Sequence, residues 1–247
     1  NEYLSEGNAF IGNIWGIHDE PFYQYFAQKM NKMPQPFLTT FFSLSSHSPF
    51  VVPDPHKGKF KEGPLEVYEM IGYADYSLRK FFETAQTMPW FKNTLFVITA
   101  DHCSLPYYDE YKSSSQVFSI PIILYKPNEI KKGIDSTYAQ QLDIMPTVLN
   151  YLGYNKDYYA FGSNLLDTTA THFSVNYLYG NYQLIKDGYL MEYDLESVIG
   201  LYDLNNDVFQ TNNLKGTLPE IENELLKFMQ AFIQQHRNRM LENRFCK

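Results

Sequence analysis

The sequence has only two cysteines, Cys103 and Cys246, far apart in the chain. That excludes a disulfide framework, and their spacing excludes a zinc knuckle. No run of about 18 apolar residues occurs, so no membrane-crossing helix is expected. Lys and Arg are scattered, and the formal charge is −8; without a basic patch, nucleic acid is excluded as a partner. There is no glycine-rich phosphate loop, and no G-x-S-x-G elbow surrounds any serine. No signal peptide is visible and the chain starts at Asn1, so the compartment cannot be read from the residues themselves.

Aromatic side chains are plentiful, with 21 Tyr and 19 Phe among 247 residues. A chain this apolar and aromatic is globular, buries a sizeable core, and is expected to form one domain. Most of the rings belong to packing. A stacking surface for a sugar or glycerol-like ligand is the lesser reading. The acidic balance leaves anionic substrates open, because a bound divalent cation can be the largest charge in a site.

Along the chain, residues 20–33 have helical spacing, with Phe22, Phe26 and Met30 in register and Pro34 and Pro36 beyond. Residues 37–44 are rich in β-formers and predict a strand that delivers its end to the polar turn Ser45-Ser46-His47-Ser48-Pro49. Residues 65–84 predict a helix with a stripe of Met70, Ala74, Leu78 and Phe82. The run 95–99 has the length and branching of a strand buried on both faces, and 120–125 is a second such run. Residues 138–152 predict a helix stopped at Gly153. Short alternating strands with hairpin punctuation follow from 171 to 202, and residues 219–241 predict an amphipathic helix with Ile221, Leu225, Phe228, Phe232 and His236 in its stripe. Strands alternating with helices make the fold class α/β, with a small antiparallel appendage at about 168–210 and the terminal helix at about 219–241.

Asp101 and His102 lie just past the strand run 95–99. In α/β sheets, ligands gather at the carboxyl ends of strands. A carboxylate oxygen with an imidazole nitrogen suits Zn²⁺ or Mn²⁺ better than Ca²⁺. Taken alone, a turn-capping Asp beside a surface His is the plainer reading of the pair. His47 sits on a similar loop and could bond a phosphoryl or sulfuryl oxygen or move a proton, though a loop histidine with no role is the plainer reading. His18, His56, His172 and His236 have no metal-like spacing and read as packing or surface residues. Cys103 reads as a small buried residue rather than a thiolate ligand.

Five ordered blocks resemble the sulfatase-like branch of the alkaline phosphatase superfamily, with the likeness strongest to the lipoteichoic-acid synthases, which are phosphoglycerol transferases. They are residues 37–50 with His47, residues 73–78 running on to 93–102 with Asp101 and His102, residues 141–153, residues 161–165, and residues 201–207. The resemblance implies an α/β/α sandwich of alkaline phosphatase type, with the whole chain as the C-terminal portion of the catalytic domain. It implies that Asp101 and His102 bind one divalent metal, Mn²⁺ first, with Mg²⁺, Zn²⁺ or Ca²⁺ as alternatives, and that His47 contacts the substrate. It places the nucleophile in an earlier segment, so no catalytic nucleophile is assigned in this chain, which alone is expected to be inactive.

The implied substrate is a phosphate or sulfate ester, a phospholipid head group included. The implied location is extracytoplasmic (periplasm or cell surface), with anchoring in the inner membrane only through N-terminal helices outside this sequence. A sulfatase is the rival enzyme. The rival of another class is a non-catalytic binding or assembly module, in which an open sheet edge pairs with a second copy.

Overall fold

A computed structural model describes residues 2–129 and 132–244; Cys246 lies outside them. The described residues fall into two compact units: those within 1–96 and 124–130, and those within 97–123 and 131–247. The chain passes between them within two short strands.

The first unit contains a one-turn helix α1 (Glu2–Ser5), a tight hairpin of β1 (Gly12–Asn13) and β2 (Gly16–Ile17), and helices α2 (Asp19–Met30) and α3 (Val67–Ala85). Ala27 and Met30 of α2 are buried with Phe81 and Ala85 of α3, and Trp90 and Phe91 close that core. The buried face of α3 runs through Val67, Met70, Tyr73, Ser77, Phe81 and Ala85. The predicted stripe was therefore right at Met70 and one residue late beyond it. Tyr73 is why: its large ring is almost fully buried, packed against His56 and Phe60.

The strand predicted at residues 37–44 is not formed, because no ladder partner exists for it among the described residues. Its period-two alternation survives. Phe37 and Phe41 turn inward, with Phe41 4.4 Å from Tyr23 between ring centroids, whereas Leu38 and Phe42 are exposed.

Strands β3 (Phe96–Thr99) and β4 (Ile122–Tyr125) pair with each other. The expectation of burial on both faces fails for both. β3 is only half-buried, and Ile123 and Tyr125 on β4 are exposed, since this sheet has two strands among the described residues; Phe82 and Phe91 pack against Phe96 and Tyr125.

In the second unit, the helix expected from 138 starts later. A short 3-10 turn, Gln141–Asp143, leads into α4 (Ile144–Tyr151). Pro146 is tolerated because its missing N–H falls in the first turn, where no intrahelical bond is due. At the other end Tyr154 N–H donates to Leu149 O and Gly153 N–H to Asn150 O, the paired closing bonds of a Schellman stop.

Strands β5 (Phe173–Leu178), β6 (Asn181–Lys186), β7 (Tyr189–Tyr193) and β8 (Val198–Asp203) form an antiparallel meander in chain order. The link from β6 to β7 is Asp187-Gly188, both at positive φ, the two-residue turn whose twist suits adjoining strands. Helix α5 (Pro219–Leu241) packs Leu225, Met229 and Ile233 onto Leu184, Met191 and Leu201 of the sheet. Each such buried side chain contributes about 1.5–3 kcal/mol. Among the described residues no helix is long and apolar enough to cross a membrane.

Candidate functional site

Asp101 and His102 occupy the turn that leaves β3. Asp101 Oδ1 accepts the His102 backbone N–H at 2.9 Å, which folds the two side chains to the same side. His102 Nδ1 lies 2.8 Å from the Cys103 carbonyl oxygen. A carbonyl can only accept, so Nδ1 carries the proton and, in the neutral ring, Nε2 keeps its lone pair. That nitrogen stands 3.5 Å from Asp101 Oδ2, and both side chains are more than half exposed.

Two donors bound to one small divalent cation at about 2.1 Å stand about 3–3.5 Å apart, depending on the angle at the metal. The spacing of Nε2 and Oδ2 therefore fits a shared ion. A backbone carbonyl on the other ring nitrogen is the usual support of a ligating histidine. Among the described residues no group of three or more His, Cys, Asp or Glu side chains comes together to hold a metal; the pair by itself could supply two donors.

The turn is held from behind. Gln141 Nε2 donates to the carbonyls of Ala100 at 2.7 Å and Asp101 at 3.3 Å. Cys103 is half-buried rather than buried, and points its thiol at the Val117 carbonyl. Ser114, on the same loop as Val117, bonds Gln210 and Glu192, tying that loop to the antiparallel sheet.

His47 belongs to the other unit. It follows a buried clamp. Asp19 Oδ1 accepts the backbone N–H groups of Leu44 at 2.9 Å and Ser45 at 3.2 Å, while Ser45 Oγ accepts the Asp19 N–H at 2.8 Å. Burial pushes the Asp19 carboxyl above its ordinary range, against the opposing pull of the Leu44 and Ser45 bonds. His47 itself is exposed, with Nδ1 3.0 Å from the Ser48 carbonyl and the Trp15 ring 4.1 Å away between centroids.

The remaining histidines are accounted for by packing or bonding. His56 Nε2 is 2.6 Å from Glu20 Oε2, and His18 is buried beside Tyr73, with desolvation holding its pKa below the usual value. His172 bonds Ser163 and the Asp167 carbonyl, and His236 rests on Phe161. Trp15, Asp19 and Gln141 were not picked out from the sequence. The available signal was polar residues inside the very blocks that carry the family likeness, or, for Trp15 and Asp19, in the short Trp-Gly-Ile-His-Asp segment just ahead of the first.

The chain is similar over nearly all its length to known proteins. A protein of the alkaline phosphatase superfamily from Vibrio parahaemolyticus superposes with a TM-score of 0.79 at 22% identity, covering 97% of this chain and 58% of that one. That likeness shows the fold read from the ordered blocks. Lipoteichoic acid synthase 2 of Bacillus subtilis is 27% identical over 171 residues, 62% of this chain and 26% of the synthase. The lipoteichoic acid synthase of Staphylococcus saprophyticus is 28% identical over 181 residues, 66% and 27% respectively. The chain thus spans about a quarter of the length of these synthases. The family model described as Sulfatase matches residues 1–154, a stretch that holds His47, Asp101 and His102, and the chain belongs to the Sulfatase family.

Proposed function

We propose that this chain carries part of the catalytic apparatus of an enzyme that transfers or hydrolyses a phosphate ester, with transfer of a phosphoglycerol or related head group as its reaction. The observation that carries the proposal is the juxtaposition of His102 Nε2 and Asp101 Oδ2, 3.5 Å apart and open to solvent, inside a Sulfatase-family chain. Asp101 and His102 would hold one divalent cation, Mn²⁺ foremost. When bound, that ion lowers the pKa of a nucleophilic hydroxyl and offsets charge on the transferring group. The nucleophile is assigned to no residue of this chain, which on this reading does not turn over by itself.

His47 is assigned to the substrate's phosphoryl oxygens. With Nδ1–H committed to the Ser48 carbonyl, Nε2 is the atom available to substrate. In the protonated ring it donates a charge-assisted bond to an anionic oxygen, and in the neutral ring it accepts a proton. Asp19 and Ser45 hold the loop that presents it. The synthases named above support a phosphoester substrate and a reaction outside the cytoplasm, whereas the family description favours the second reading, cleavage of a sulfate ester.

The test is a Mn²⁺ titration of the chain followed by the histidine ring signals in NMR. His102 should broaden first, and Asp101→Ala should remove that preference. In the longer protein, Asp101→Ala and His102→Ala should each abolish phosphoester turnover. Broadening spread evenly over the histidines, or full activity after both changes, would sink the assignment.

A further inference from the structure

We infer that Trp15 is the positioning residue for His47, fixing which ring nitrogen faces substrate; this deepens the role just assigned to His47 and rests on it. The Trp15 indole Nε1 donates to the Ser48 carbonyl at 2.5 Å. The same oxygen accepts His47 Nδ1–H at 3.0 Å. A carbonyl oxygen has two lone pairs, and here two side chains 32 residues apart take one each. The two rings also touch, 4.1 Å between centroids and tilted by 50°. The indole therefore closes one side of the imidazole while anchoring the atom that holds its proton.

Trp15 is itself held in place. It sits in the link of the β1–β2 hairpin, its backbone N–H donating to Asn13 Oδ1 at 2.9 Å, and the hairpin's base is closed by His18 N–H on the Ile11 carbonyl at 2.8 Å. Yet Trp15 is 51% exposed. An indole left half in water contributes little as core, and its contacts go to the His47 loop. The consequence is chemical. A solvated histidine samples both tautomers, whereas one whose Nδ1–H is fixed presents Nε2 alone.

The experiment labels the histidines of the 247-residue chain with ¹⁵N and reads the His47 ring by long-range ¹H–¹⁵N correlation. The wild type should show the Nδ1–H tautomer in the neutral ring. Trp15→Ala should move His47 to the averaged signals of a solvated ring, and Trp15→Phe, which keeps the ring contact without the N–H, should fall between. Buried His18 and His56 report folding in the same spectra; if they shift in Trp15→Ala, the comparison of wild type with Trp15→Phe decides. Wild-type tautomer signals in a folded variant lacking the indole would overturn the inference.

In the longer protein, Trp15→Ala should lower kcat/KM by roughly ten- to a hundredfold through kcat, with partial recovery in Trp15→Phe. The two readings fail separately. Unchanged activity in His47→Ala would remove His47 from the reaction, while the tautomer signals would still decide whether Trp15 fixes it.

Discussion

Asp19 and Ser45 bond each other twice: the Ser45 hydroxyl accepts the Asp19 N–H at 2.8 Å, and the Asp19 carboxylate accepts the Ser45 N–H at 3.2 Å. Both residues are 1% exposed, so these bonds are made away from water and their loss leaves buried donors without partners. Asp19→Ala should destabilise the chain by about 2–4 kcal/mol, read as a lower urea midpoint at unchanged slope. The effect should concentrate on residues 44–48, seen as faster amide exchange there. A midpoint equal to wild type would mean that the loop carrying His47 is held by other contacts.

The Asp101–His102 turn depends on Gln141 in a comparable way. Its amide reaches two successive carbonyls, those of Ala100 and Asp101, and so fixes the backbone from which both proposed ligands project. Gln141→Ala leaves both ligands present but frees that backbone. Mn²⁺ affinity should fall by about three- to tenfold, in the direction of losses seen when groups supporting metal ligands are removed. Calorimetry on the two proteins measures it, and equal affinities would show that the turn is rigid without Gln141.

Much of this arrangement was legible in the sequence, and what was not has a common cause. Helix α5 was predicted at the bounds it adopts because Pro219 suits the first turn of a helix. The β6–β7 link, Asp187-Gly188, falls within the stretch 171–202 read as strands with hairpin punctuation. These are local signals. Blocks 141–153 and 161–165 were recognised as family blocks, but not that they form one joint: Asp143 Oδ1 accepts the Ser163 N–H at 2.7 Å, and Thr147 Oγ1 accepts the Leu165 N–H at 2.9 Å. The failed strand at residues 37–44 has the same origin, since β propensity is local while a ladder needs a partner. Asp19 and Trp15 act through bonds to residues 25–33 positions away, which no spacing within one segment reveals.

That joint yields a comparison of two glycines. Gly153 lies at φ +70° with open space where a Cβ would go, so Gly153→Ala should cost only the backbone strain, about 1 kcal/mol. Gly162 is different: a Cβ there would stand 2.3 Å from the Leu142 carbonyl oxygen and 2.5 Å from Asp143 Oδ1. Gly162→Ala must therefore displace backbone and the carboxylate that holds Ser163. It should cost clearly more than Gly153→Ala, about 2 kcal/mol or above. Urea denaturation of both variants checks the order, and the reverse order would contradict the packing of this joint.

Two carboxylates should give opposite pH dependence. Burial raises the pKa of Asp19 above its reference value of 3.8. The folded state then binds the proton more tightly than the unfolded chain, so the stability from protonated Asp19 is complete below pH 3.8 and is lost as pH rises through the raised folded value. Asp207 is the converse. The backbone N–H groups of Thr211 and Asn212 bond its two oxygens at 3.0 and 2.7 Å and hold its pKa below 3.8. Its stabilising contribution is present above pH 3.8 and is lost as pH falls through the depressed folded value. Accordingly, the penalty of Asp19→Ala relative to wild type should grow on going from pH 7 to pH 3, while that of Asp207→Asn should shrink over the same interval. Using each variant's difference from wild type cancels the titration of groups that the substitution does not touch; His18, beside Asp19, stays coupled to it. Urea midpoints at the two pH values give both differences, and penalties that move in the same direction would refute the assigned pKa shift of one carboxylate.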